Sequence, residues 1–191
     1  MHHRRGGDAY EPILLTDESR QGLERDKRES LSIEDIKLGD GPLAAWGRKI
    51  RADIEVRYTD GTVAYRGPIY DYVGFQGSVF IVDASKERGG LADQTGIWLG
   101  INGMAVGGKR RITIQPELVT DGLLLLGIQR HQEVGIRKEK LIVEATLTAS
   151  CIPVRLRVLQ TGSSSLFERE IRCRDSDLPQ RDPNAPIWHV Y

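Results

Sequence analysis

Gly103, Gly108 and Lys109 stand at the glycine and lysine positions of a phosphate-binding loop, whose chemistry is to cradle an anion with backbone N–H groups and an ammonium. The position that would carry the magnesium-binding hydroxyl is Arg110. The order of elements is also reversed: a phosphate loop follows a strand and opens a helix, whereas here a helix precedes the glycines and a strand follows them. Nucleotide binding is therefore not expected. His131 is isolated from any Cys or carboxylate at ligand spacing and reads as a surface histidine, so no metal is expected.

The elements that carry these residues form the stretch Gly96 to Leu118, GIWLGINGMAVGGKRRITIQPEL. Ile97, Trp98, Ile101 and Met104 recur at helical spacing and make one apolar face, while Gly100 and Gly103 keep the helix narrow enough to lie close to other backbone. Such a helix is built to be enclosed. Ala105 to Gly108 turns the chain, with Gly107 and Gly108 free to take positive backbone angles, and Lys109 to Ile114 resumes as a strand that Pro116 ends. Upstream, Ile50, Ala52, Ile54, Val56 and Tyr58 alternate with Arg51, Asp53, Glu55 and Arg57, predicting a half-buried strand with Tyr58 pointing inward.

This central stretch closely resembles the core segment of the FKBP-type peptidyl-prolyl isomerases. Ile33-Glu34-Asp35-Ile36, Gly39-Asp40-Gly41, Gly47, Ile54 to Thr59 and Asp60-Gly61 are similar to that family's opening strands, in the same order. Leu141 to Leu147 is similar to its closing strand, so the resemblance runs from Ser32 to Leu147. It implies an α+β fold, a twisted antiparallel β-sheet wrapped around one short α-helix at Ile97 to Met104, here extended by a C-terminal β-hairpin.

The reaction implied by the resemblance is rotation about an X-Pro bond, whose barrier of ~18–20 kcal/mol comes from amide resonance. A pocket lowers it without nucleophile, cofactor or metal. It strips water from the amide, holds the proline ring on apolar and aromatic walls, and favours the twisted carbonyl with donors. By resemblance the prolyl-pocket positions are Tyr58, Ala64, Tyr65, Ile97, Thr120 and Val143. Only Tyr58 keeps the family residue. Ala64-Tyr65 replaces an aromatic-Asp pair, Thr120 a flap Tyr, Val143 a wall Phe and Ile97 a floor Trp, the last a modest change because aliphatic residues occur there. Asp71 aligns with the family Asp only if the register shifts past Gly67-Pro68. Asp93 and Gln94 stand where the family has two aliphatic residues before the helix. The run Leu123 to Leu126 could pack across the pocket mouth, and Asp83 to Gly90 reads as a surface loop.

The closing segment adds a hairpin. Ile152, Val154, Leu156 and Val158 alternate with Arg155 and Arg157, and Phe167, Ile171 and Cys173 alternate with Glu168 and Glu170, around a turn at Gly162-Ser163. That turn sets Val154 opposite Ile171 and Arg155 opposite Glu170. The same register puts Cys151 and Cys173 on opposite faces, so both are expected to be free thiols.

Four parts are expected: a charged N-terminal extension (1–31) with a helix from about Asp17 to Glu29, an FKBP-like domain (32–150), the hairpin (151–174) and an extended tail (175–191) broken by Pro179, Pro183 and Pro186. Lys plus Arg equals Asp plus Glu at 27 each, so no overall field favours nucleic acid or an acidic membrane surface. No apolar run approaches the ~18 residues of a membrane-spanning helix. The N-terminal His2-His3-Arg4-Arg5 is not followed by the apolar core of a signal peptide, although a presequence already removed would leave no trace. Two functions are weighed: an FKBP-like accessory subunit with reduced or lost isomerase activity, binding protein partners through the extension, hairpin and tail, and an active isomerase that assists folding. FKBP-like proteins with degenerate pockets occur in chloroplasts and the thylakoid lumen, so the resemblance leans to an organelle, with bacterial periplasm or cytoplasm left open.

Overall fold

The computed structural model describes residues 14–72, 94–125, 133–151 and 179–191. Helix α1 spans Asp17–Ser30, capped by Thr16, whose hydroxyl accepts the Ser19 N–H at 3.1 Å. Asp17 and Glu18 lie in its first turn and Lys27 and Arg28 in its last, as the helix dipole favours. A helix this polar needs tertiary support. It comes from Leu15 and Leu23, which pack against the core, and from the buried Lys27 and Ser30.

The strands follow as β1 (Leu31–Lys37), β2 (Lys49–Tyr58), β3 (Val63–Tyr72), β4 (Lys109–Ile114), β5 (Gly122–Leu125), β6 (Glu133–Ile136) and β7 (Leu141–Cys151). The five-stranded sheet runs β1-β4-β7-β2-β3 with every neighbour antiparallel, and β5 pairs with β6 separately. One row crosses the whole sheet: Ile33, Ile112, Val143, Val56 and Tyr65 are successive partners. The alternation in β2 is realised, with Ile50, Ala52, Ile54, Val56 and Tyr58 buried and Arg51, Asp53 and Arg57 exposed.

Helix α2 spans Thr95–Ile101 and lies on the apolar face of this sheet, with every residue from Gly96 to Ile101 buried. Its glycines permit the approach. A Cβ on Gly96 would sit 2.5 Å from Ile114 Cγ2, and one on Gly100 2.6 Å from Ile112 Cγ2. The helix is shorter than the apolar spacing predicts, because Gly103 at φ 89° turns the chain and Met104, though buried, lies beyond it. In the following turn only Gly107 takes a positive angle, at φ 93°. Gly108 is there for close packing: a Cβ would meet Ala105 O at 3.0 Å and Gly39 N at 3.1 Å.

The tail folds back. Residues 179–191 form neither helix nor strand, yet Val190 is fully buried and belongs to the core cluster with Ile97, Leu99 and Ile101. Cys151 is disulfide-bonded, contrary to the free thiol expected from the hairpin register. Cys173, the chain's other cysteine and hence its partner, lies outside the described residues together with the hairpin, His131, Leu126 and the 83–90 loop. The register rule assumes an unbroken flat ladder, and β7 is not one: its pairing with β2 shifts between Arg51 and Ala52, just before the end that carries Cys151.

Candidate functional site

Tyr58 ends β2 at a tight turn in which its N–H donates to Thr62 O, its carbonyl accepts the Gly61 N–H, and Gly61 takes φ 90°. Asp60 braces the turn by accepting the Thr62 N–H at 2.8 Å. The backbone and hydroxyl donors of Thr62 hold the Asp60 carboxyl below its usual range. Tyr58 is 5% exposed and shares one cluster with Ile97, Val143, Trp98, Val119 and Ile136.

Ala64 and Tyr65 reach this cluster through an irregularity. Val56 pairs with Tyr65 and Arg57 with Val63, so Ala64 is the extra residue of a bulge. Both Ala64 and Tyr65 are partly buried against the core. The Tyr65 hydroxyl donates to Pro68 O at 2.7 Å, within its own strand. Five of the six predicted positions therefore gather around one apolar centre. Thr120 does not. It is exposed, beyond the 3-10 turn Pro116–Leu118, and is held by backbone bonds.

Two residues outside the six predicted positions complete the site. Gln94, immediately before α2, is 1% exposed, and its side-chain amide donates to Thr120 O at 2.9 Å while its carbonyl accepts the Thr120 N–H at 3.3 Å. That paired bond ties the segment at the flap position to the start of α2. Gln94 is visible in sequence as a polar residue at an aliphatic position, and the structure shows what the amide does. Arg137, just after β6, donates its backbone N–H to the Tyr58 hydroxyl at 3.2 Å and lays its guanidinium over the Tyr58 ring, 4.2 Å from the centroid. Its Nε also donates to Glu139 at 3.0 Å. Arg137 is 79 positions from Tyr58, so no local spacing could have flagged it.

Chemically, the arrangement offers an aromatic wall and an aliphatic floor, with a cation over the wall and an amide clamp at the rim. No family model matches the chain. A peptidyl-prolyl cis-trans isomerase of Arabidopsis thaliana, FKBP15-3, is 37% identical to it over 93 residues, which are 47% of this chain. The chain holds an FKBP-like domain. It spans 57% of that relative's length. Among solved structures, the N-terminal domain of FKBP42 from Arabidopsis thaliana is similar at TM-score 0.44 and 17% identity, over 64% of this chain and 87% of that one. FkpA from Escherichia coli is similar at TM-score 0.41 and 13% identity, over 70% and 62%. Among the described residues of the FKBP-like chain, no helix is long and apolar enough to cross a membrane.

Proposed function

We propose that this FKBP-like domain has reduced or lost prolyl isomerase activity and serves as a protein-binding, accessory subunit of a larger assembly. The observation that carries this reading is Arg137, whose guanidinium lies over the ring of Tyr58, 4.2 Å from its centroid. A prolyl pocket works by removing water from the amide and presenting apolar walls. A half-exposed guanidinium on the one retained aromatic brings charge and hydration to that wall, and an exposed cation–π contact is worth about 0.5–1 kcal/mol to displace. The Gln94–Thr120 clamp adds to this by fixing the rim segment.

Protein binding is proposed for the outward parts of the two ends, since their inner faces are used within the chain. Leu14 is 86% exposed and Ile187 46%. The disulfide at Cys151 supports an oxidising compartment, either the lumen that the resemblance implies or a periplasm, over a cytoplasm.

A second reading, an active isomerase, is favoured by the name of the Arabidopsis relative and by the retained Tyr58. A proline-isomerisation assay on the chain and on Tyr58→Leu and Arg137→Ala variants separates the two. Accessory function predicts a background rate that Tyr58→Leu leaves unchanged, and a measurable gain when Arg137→Ala bares the ring. A clear rate in the parent chain that disappears in Tyr58→Leu would establish the isomerase instead.

A further inference from the structure

The tail ends in a seat built from α1, the C-terminal end of α2 and the backbone at Trp46. Glu24 Oε2 accepts the Val190 N–H at 3.0 Å and lies 2.8 Å from His189 Nδ1. Val190 O accepts from Arg20. Asn102 makes a paired bond with Tyr191, its Oδ1 accepting the Tyr191 N–H at 2.9 Å and its Nδ2 donating to Tyr191 O at 3.0 Å, and Tyr191 O also accepts the Trp46 N–H at 2.9 Å.

Lys27 stands at the centre of the seat, with no exposed surface. Its Nζ reaches one carbonyl on each side of the joint, Asn102 O at 3.1 Å after α2 and His189 O at 2.9 Å on the tail. An ammonium carries three N–H donors and a neutral amine two. Among the described residues these two carbonyls are the acceptors within reach, so the docked seat fits the neutral amine and leaves a third proton without a partner and away from water. The surrounding charges act the same way. Arg110 of β4 shares Asn102 O with Lys27, Arg20 sits on α1 facing the tail, Arg28 on α1 stacks on Trp188, and Arg181 enters from the tail. Against these cations stand Glu24 of α1 and Asp35 of β1, and Asp35 is already salt-bridged to Arg110 at 2.7 Å. Glu117, packed against the end of α1, is taken by Ser30. Burial first and Arg110 second bring the Lys27 pKa down to about 7, with Glu24 and Asp35 opposing.

We propose that the seat is a proton-operated latch: with Lys27 as a neutral amine the tail is held, and proton uptake at Nζ releases the tail and lets the new ammonium meet water, while the sheet stays folded. Linkage sets the sign. The lysine of the released form keeps its proton over a range in which the docked form has lost it, so docking strengthens as pH rises from about 7 toward the ordinary lysine range and is flat below about 7 on this account. From pH 7 to 9 the docking constant should gain about ten- to fiftyfold, the range set by how far the released lysine regains its ordinary value. His189 responds with the opposite sign, because its neutral ring can already donate from Nδ1 to Glu24 and a proton on the ring strengthens that pair. Lys27→Met therefore isolates the lysine.

The test reads the lysine and the tail separately, on the full chain. With the lysines labelled with carbon-13 at Cε, the Lys27 resonance, assigned by its absence in Lys27→Met, should titrate near pH 7 in the parent. In Val190→Asp, which puts a carboxylate where the tail is buried, the same resonance should move toward the ordinary lysine value of ~10.4. Amide hydrogen exchange then follows the tail. Protection at Val190 and Tyr191 should rise about ten- to fiftyfold from pH 7 to 9 in the parent and stay constant in Lys27→Met, and at both pH values it should lie below that of Ile112 and Val143 in the sheet. A Lys27 that titrates at the ordinary value in the parent would overturn the proposal, as would one that still titrates near pH 7 in Val190→Asp, since the fold would then bury it without the tail. Tail protection that ignores pH, or that equals protection in the sheet, would also overturn it, the second because the tail would then open only with the whole fold.

Discussion

Lys27 shows how much of this molecule is decided by single buried polar groups. Its ammonium is fully buried and donates to two carbonyls, Asn102 O at 3.1 Å and His189 O. Burial first, and then the positive Arg110 nearby, lower its pKa to about 7, with Glu24 and Asp35 opposing. Arg110, salt-bridged to Asp35 at 2.7 Å, also donates to Gly100 O and Asn102 O, so two cations serve the carbonyls at the end of α2. The sign of the pH effect follows. Between pH 7 and about 10 the unfolded chain keeps a proton on this lysine that the folded chain has released, so stability rises with pH across that window and is flat below it on this account. The upper bound is about 5 kcal/mol, at 1.36 kcal/mol per unit. Urea unfolding at pH 7 and 9.5 should show the parent gaining stability and Lys27→Met losing most of that gain; a parent with no gain would mean that the ammonium is not desolvated. Gln94 tests the rim in the same way. Gln94→Leu keeps the bulk but leaves the Thr120 N–H and carbonyl to water, and should cost about 1–2 kcal/mol in the same unfolding measurement.

At the scale of elements, α2 and its turn were readable because the signals are local: apolar spacing, glycines and a proline stop fall within one stretch. The strict alternation of β2 fixed its inward face for the same reason. What escaped were long-range facts. Arg137 meets Tyr58 only after β6 and β7 have been placed, and the bond at Cys151 depends on how β7 departs from a flat ladder. The glycines of α2 give a prediction in which two principles oppose each other. In an exposed helix, Gly→Ala stabilises by about 1 kcal/mol through backbone entropy. Here the new methyl would press on Ile114 in Gly96→Ala and on Ile112 in Gly100→Ala, at distances that force a shift in the β4 row. Overpacking of that kind costs about 1–3 kcal/mol, so both variants should unfold more easily than the parent. A rise in midpoint for either would show that α2 has room to slide on the sheet.

For the whole molecule, the two ends behave as one unit laid over the end of α2. The seat of the tail cannot be read from its own residues, because it is assembled from three separated places: α1, Asn102 and the backbone at Trp46. Neither end has the means to dock alone. The inner face of α1 is mostly polar and is completed by tail carbonyls and by the Val190 N–H, while among the described residues of the tail only Val190 is fully buried. Val190→Asp therefore should release both. The new carboxylate would be placed in the apolar cluster and near the carboxylate of Glu24, which already accepts the Val190 N–H, so the tail leaves rather than burying a second like charge. Once it leaves, Lys27 loses His189 O and Arg20 loses Val190 O, and α1 is left with Leu15 and Leu23 as its apolar hold. Limited trypsin digestion reads this directly. In the variant, cleavage should quicken at Arg181 in the tail and at Arg20, Arg25 and Arg28 in α1, while Arg110, almost fully buried beneath α2, stays protected. If Arg181 alone becomes sensitive, α1 is held independently of the tail and the ends are two elements rather than one.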